Sequence, residues 1–147
     1  MSDTENFNST DENQTGKIAY EFAKRLKKGD IILLKGSLGS GKSIFVRGAA
    51  SYFDINEPMP SPTFSIMNEY SGSYLDNSSV MLYHFDLYRI NDPYELYAIG
   101  FEDYIYSDGI SFIEWPEKGE EMIPKKSIIV EIKPVEEIRT ITIKWLN

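Results

Sequence analysis

Cysteine is absent from this 147-residue chain, and histidine occurs only once. The first absence excludes disulfides, zinc–thiolate sites and thiol nucleophiles, and it suits a reducing compartment. The second argues against a His-based catalytic triad or a His-ligated metal centre. No apolar run approaches the roughly 20 residues that a membrane span requires, and the polar start is no signal peptide. Basic charge is also in short supply. Fifteen Lys and Arg face 23 Asp and Glu, for a formal net charge of −8. Such a surface repels a polyanion at long range, which disfavours direct, unaided binding of nucleic acid. The expectation is a cytoplasmic protein with no membrane partner.

What is present suits one packed domain over residues 1–147. Hydrophobic residues make up 41% and aromatics 14%, ample for one contiguous core. Residues 1–9 are polar apart from Phe7 and read as a frayed, flexible tail. Ser9 followed by Glu12 has the spacing of a capping box. Ile18, Ala19, Phe22, Ala23 and Leu26 then recur at three- and four-residue intervals. That spacing predicts an amphipathic helix, which Gly29 ends. The densest basic cluster, Lys24, Arg25, Lys27 and Lys28, fits the last turn of that helix, where cations favour the dipole.

Ile31, Ile32, Leu33 and Leu34 form a short continuous apolar run, as suits a parallel strand covered on both faces. A Gly-rich stretch follows, then a helical pattern over residues 42–53. Pro58, Pro60 and Pro62 predict a loop over residues 54–62. Two-residue spacing returns in Phe64, Ile66 and Tyr70, and again in Met81, Tyr83, Phe85 and Leu87. An antiparallel hairpin turning over residues 71–79 is the natural reading. Asp92 and Pro93 are a cap and first-turn pair for a short helix that stops near Gly100. Residues 110–114 read as a buried strand ending in the carboxylate of Glu114. Residues 127–133 and 139–145 read as two more strands, paired with each other.

The chemistry lies in Gly36-Ser37-Leu38-Gly39-Ser40-Gly41-Lys42-Ser43, which has the Walker A spacing. Its glycines let the backbone N–H groups converge on phosphate oxygens. The helix beginning at Lys42 points its positive end at the same place. In this pattern Lys42 reaches the β/γ-phosphates and the Ser43 hydroxyl ligates Mg²⁺. The fold class expected is therefore α/β: three layers of P-loop NTPase type, with a mainly parallel central sheet and antiparallel hairpin additions. A P-loop enzyme also needs a carboxylate at a neighbouring strand end to hold the magnesium shell. Two residues qualify, Glu114 and Asp86, each at the end of an apolar run. Thr63, after the Pro-rich loop, is a candidate switch-type hydroxyl for the metal. Trp115 is either a packing anchor or a neighbour of the nucleotide. His84 reads as a core or hairpin-surface residue rather than a catalyst.

The chain resembles the TsaE family, also called YjeE, from about residue 9 to residue 124. Besides the loop, the resemblance rests on Gly29-Asp30, on Phe45-Val46-Arg47-Gly48 and on Ser61-Pro62-Thr63-Phe64. It continues through His84-Phe85-Asp86-Leu87-Tyr88-Arg89, Glu95 with Gly100, and Glu114-Trp115-Pro116-Glu117. The family usually carries Gly-Asp-Leu-Gly-Ala-Gly-Lys-Thr in the loop. Here Ser37, Ser40 and Ser43 stand for its Asp, Ala and Thr, and Ser43 keeps a hydroxyl for magnesium. The resemblance implies slow hydrolysis of ATP to ADP with Mg²⁺, in service of the TsaB–TsaD pair. That pair transfers a threonylcarbamoyl group to an adenosine of tRNA, and tRNA meets this chain only through the complex. The resemblance also sets Asp86 and Glu114 near the magnesium and γ-phosphate, Thr63 in a switch-like loop, and Trp115 close to the nucleotide. Two other readings stay open: a P-loop small-molecule kinase, and a nucleotide-sensing module without catalysis.

Overall fold

A computed structural model describes residues 2–62 and 65–146. Strand β1 (Ser2–Ser9) leads into helix α1 (Glu12–Ala23), strand β2 (Ile31–Lys35) and helix α2 (Lys42–Tyr52). The hairpin β3 (Met67–Ser73) and β4 (Ser79–Asp86) follows, then helices α3 (Tyr94–Ala98) and α4 (Phe101–Ile105). Strand β5 (Ile110–Glu114), a 3-10 segment (Pro116–Met122), and strands β6 (Ile128–Val135) and β7 (Ile138–Leu146) complete the described chain.

These strands form one seven-stranded sheet in the order β1-β7-β6-β2-β5-β4-β3. Its four middle strands are mutually parallel, and antiparallel neighbours extend both flanks. The sheet is thus mixed: β4 pairs antiparallel with β3, as the expected hairpin, and its other edge pairs parallel with β5. Side chains alternate across a strand, so each central strand feeds two cores. Ile32, Leu34, Leu82, Phe112 and Val130 pack with Ala19, Phe22, Phe45 and Ala49 of α1 and α2. Ile31, Phe85 and Ile113 pack on the other face with Leu96, Phe101 and Ile105 of α3 and α4. Helices on both faces explain why β5 is buried along its whole length. No helix among the described residues is long and apolar enough to cross a membrane.

The segment expected to be a tail is instead strand β1, paired antiparallel with β7 over its full length from Ser2↔Leu146 to Ser9↔Arg139. Asp3, Thr4, Asn6 and Asn8 are exposed, but Glu5 is half-buried and tied to its neighbours. Glu5 accepts hydrogen bonds from Arg25 (2.6 Å) and from the Trp145 indole (2.9 Å). The Arg25 guanidinium lies 4.2 Å from the Trp145 ring centroid, and Phe7 packs against the core.

Helix α1 also differs from expectation at both ends. Its N-cap is Asp11, whose carboxylate accepts from Gln14 N at 2.9 Å, while Ser9 pairs with Thr15 at 2.7 Å. The capping box of Ser9 and Glu12 is therefore not formed. The helix ends at Ala23 because the next residues tighten into i→i+3 turns, Arg25 N to Phe22 O and Leu26 N to Ala23 O, both at 3.1 Å. The basic cluster thus lies beyond the last turn, where Lys24 pairs with Glu21 and Arg25 with Glu5. Helix α3 stops at Ala98, near Gly100 as expected, but a further helix follows. The Gly100 backbone sits at φ +74° and opens this second short helix, α4.

Candidate functional site

The loop after β2 is shaped by close approach and by backbone conformation. A Cβ on Gly36 would come within 2.6 Å of Ser40 Oγ and 2.8 Å of the Ile132 carbonyl oxygen, so only glycine fits there. Gly41, the N-cap of α2, has φ +110°, in the left-handed region that glycine tolerates. No side chain caps α2, so its first-turn amides and the helix dipole point outward together. Lys42 is buried, and its ammonium donates to the Gly36 carbonyl at 2.7 Å. Burial pushes that ammonium below the ordinary lysine range, opposed by the negative charges of Glu114, Asp86 and Glu117. Leu38 stands 67% exposed at the loop's crest.

The acids come from the next two strands of the sheet. Asp86 of β4 and Glu114 of β5 are direct register partners, each the last residue of its strand. Both are buried, unlike ordinary strand-end acids. Asp86 accepts from Ser61 Oγ at 3.2 Å and from Tyr88 N at 3.0 Å, which ties the Pro-rich loop to the strand end. Glu114 meets His84 Nε2 at 2.6 Å. Trp115 follows with φ +57°, a conformation rare for a non-glycine residue. That turn swings its ring beside Tyr88, with 4.9 Å between centroids, and to within 3.9 Å of the Lys42 ammonium.

A cleft of about 540 Å³ joins these parts. Of the residues picked from the sequence, it is lined by Leu38, Gly39, Ser40, Gly41, Lys42, Ser43, Asp86, Glu114 and Trp115. Gly36 and Ser37 do not line it; Gly36 contributes its carbonyl to Lys42, and Ser37 accepts from Ser40 N at 3.1 Å. Thr63 lies outside the described residues. No sequence signal pointed to the remaining wall, where Asp11, Glu12, Glu137 and Arg139 appear. Arg139 donates to the Gly39 carbonyl at 3.0 Å, bracing the loop from β7. Ser61 was within reach of sequence reasoning, since it opens the Ser-Pro-Thr-Phe block.

The donor set suits a polyphosphate with a divalent cation. It offers one buried cation, uncapped helix amides and a half-buried Ser43 hydroxyl beside two buried carboxylates. Among the described residues no group of three His, Asp or Glu side chains stands ready to hold a metal alone. Magnesium needs no such cage, because it is typically held by one or two carboxylates plus phosphate oxygens and water.

Comparison with known proteins accords with this geometry. Residues 9–141 match the family described as threonylcarbamoyl adenosine biosynthesis protein TsaE. The TsaE protein of Haemophilus influenzae is 37% identical over 115 residues, covering 78% of this chain and 70% of that protein. The Bacillus subtilis TsaE protein is 36% identical over 120 residues, covering 82% and 72%. Among solved structures, Bacillus subtilis YdiB superposes with a TM-score of 0.82 at 28% identity. That superposition covers 100% of this chain and 88% of the other.

Proposed function

The chain belongs to the TsaE family of threonylcarbamoyl adenosine biosynthesis proteins, and from that premise we propose that it is a magnesium-dependent P-loop ATPase. It acts in the cytoplasm with a TsaB–TsaD-like pair during threonylcarbamoyladenosine modification of tRNA, and meets the tRNA through that pair. The observation that carries this reading is the buried Lys42 ammonium at the start of α2, facing the register pair Asp86 and Glu114 across one cleft.

In this reading Lys42 leaves the Gly36 carbonyl and pairs with the β/γ-phosphates of ATP. The first-turn amides of α2 hold phosphate oxygens, and burial of the loop floor strengthens every charge interaction there. Ser43, with Asp86 or Glu114, would hold Mg²⁺, which supplies charge neutralisation to the phosphates. Glu114 orients the attacking water and accepts its proton at a carboxylate oxygen. Trp115 closes one side of the cleft against bulk water. Thr63 acts as the switch-type hydroxyl of the site and couples it to the partners. The net charge of −8 fits a chain that leaves the polyanion to others.

Without a partner to complete the site, transition-state charge is left poorly stabilised, so the isolated chain hydrolyses slowly. The test is phosphate release from Mg-ATP, with and without a reconstituted TsaB–TsaD-like pair, and then with Thr63→Ala. Stimulation by the pair that Thr63→Ala removes is expected. Full activity alone, or indifference to the pair, would overturn the partner-dependent reading.

A further inference from the structure

The single histidine of the chain is spent on one carboxylate. His84 of β4 lies two residues before Asp86, so both point to the same face of the sheet as Glu114 of the parallel neighbour β5. His84 Nε2 is 2.6 Å from Glu114 Oε2, and the two side chains are 1% and 5% exposed. A contact this short between buried polar atoms requires a proton between them, and a carboxylate supplies acceptors only. With Glu114 ionised, as its role as a base requires, Nε2 is the donor. A ring protonated on Nδ1 alone would set two lone pairs against each other. Among the described residues Nδ1 has no hydrogen-bond partner, so the ring is held by packing and by Glu114. Glu114 Oε1 makes no hydrogen bond among the described residues, while the side chain lines the cleft.

We propose that His84 is a positioning residue: its Nε2–H occupies Glu114 Oε2 and so presents Oε1 alone to the cleft. This rests on the ATPase reading and adds to it. Glu114 then acts through one oxygen, in one rotamer, fixed before any nucleotide arrives. Without His84 the carboxylate is free to turn toward the Lys42 ammonium, whose charge it already feels. That would draw the cation away from the phosphates it should meet. The advantage is one of preorganisation, so it belongs to the chemical step rather than to binding.

The experiment compares His84→Ala, His84→Gln and His84→Asn in Mg-ATP hydrolysis by the full chain with its partner pair. Partners that orient a ligating or reacting group typically alter activity about 10–100-fold when removed. His84→Ala should lose kcat on that scale while KM for ATP stays within about threefold. His84→Gln, whose amide N–H can take the place of Nε2–H, should recover most of kcat, whereas the shorter His84→Asn should not. Unchanged kcat in His84→Ala, a loss confined to KM, or no rescue by a folded His84→Gln would overturn the role.

Should the variants fail to fold, the unsubstituted chain still decides. Its one imidazole gives a single set of ring nitrogen signals in a long-range ¹H–¹⁵N spectrum. A proton on Nε2 whose signal moves in Glu114→Gln is expected; a proton on Nδ1 only, or indifference to Glu114→Gln, overturns the proposal. A wild type that releases no phosphate even with its partners overturns the ATPase reading and this role with it. An active wild type matched by His84→Ala overturns the role alone.

Discussion

The ammonium of Lys42 lies 3.9 Å from the centroid of the Trp115 ring while it donates to the Gly36 carbonyl at 2.7 Å. A cation over an indole alters its emission, and in the proposed mechanism this cation moves to phosphate when nucleotide enters. Binding of ATP or ADP should therefore change Trp115 fluorescence. Trp145, packed under Arg25 and beside Phe22, is the other indole, so a Trp145→Phe variant isolates the signal. A flat titration in that variant would mean that Lys42 stays on Gly36 and that Trp115 only packs.

Lys42→Ala should weaken Mg-ATP binding by about tenfold to a hundredfold or more, the scale of a hydrogen bond to a charged group. The helix should survive, because alanine is a good helix former and the Lys42 head makes no bond to the core. Titration calorimetry, with a melting curve as control, checks both halves. Affinity close to wild type would remove Lys42 from the phosphate site.

Asp86→Asn and Glu114→Gln should each depress phosphate release about a hundredfold or more. Affinity should change far less, since orienting a metal or a water matters mainly in the transition state. Single-turnover phosphate release alongside equilibrium binding separates the two effects. Asp86→Asn should also loosen the Pro-rich loop, because Ser61 is held by that carboxylate.

Acid should weaken the join between β1, α1 and β7. Burial pushes the Glu5 carboxyl upward, but hydrogen bonds from Trp145 and Arg25 together outweigh it and hold Glu5 below the ordinary glutamate range. A carboxyl depressed on folding adds stability above its unfolded pKa and loses it as pH falls through the folded value. The pair is partly exposed, so its contribution is at most about 1 kcal/mol. Urea unfolding of wild type and Glu5→Gln should differ near neutral pH and converge below the glutamate range. A difference that persists in acid would assign Glu5 a packing role instead.

Much of the site was legible because its signals are local. The apolar run at Ile31, the glycines and the helical spacing after Lys42 sit consecutively, and backbone sterics leave them little choice. Asp86 and Glu114 were recognisable as strand-end acids. Their register pairing was not, since it depends on which strands become neighbours. The contact of His84 with Glu114 was hidden for the same reason: the two residues meet only across parallel strands. Strand β1 escaped because it sits at the sheet edge, where one partner suffices and alternation of apolar residues is not required. Helix α4 escaped because Gly100 in the left-handed region can open a helix as well as end one.

The pairing of β1 with β7 also bears on the order in which the molecule assembles. Segments early in the chain emerge first from the ribosome, yet β1 finds its one strand partner among the described residues only when β7 has been made. Closing so long a loop is slow, so α1 and α2 can dock on the central strands well before the edge is complete. Ser9 sits at that late seam, opposite Arg139, and Arg139 braces the Gly39 carbonyl. The phosphate loop therefore gains one of its supports only once β7 is in place, and a chain halted short of β7 would carry the binding motif without its brace.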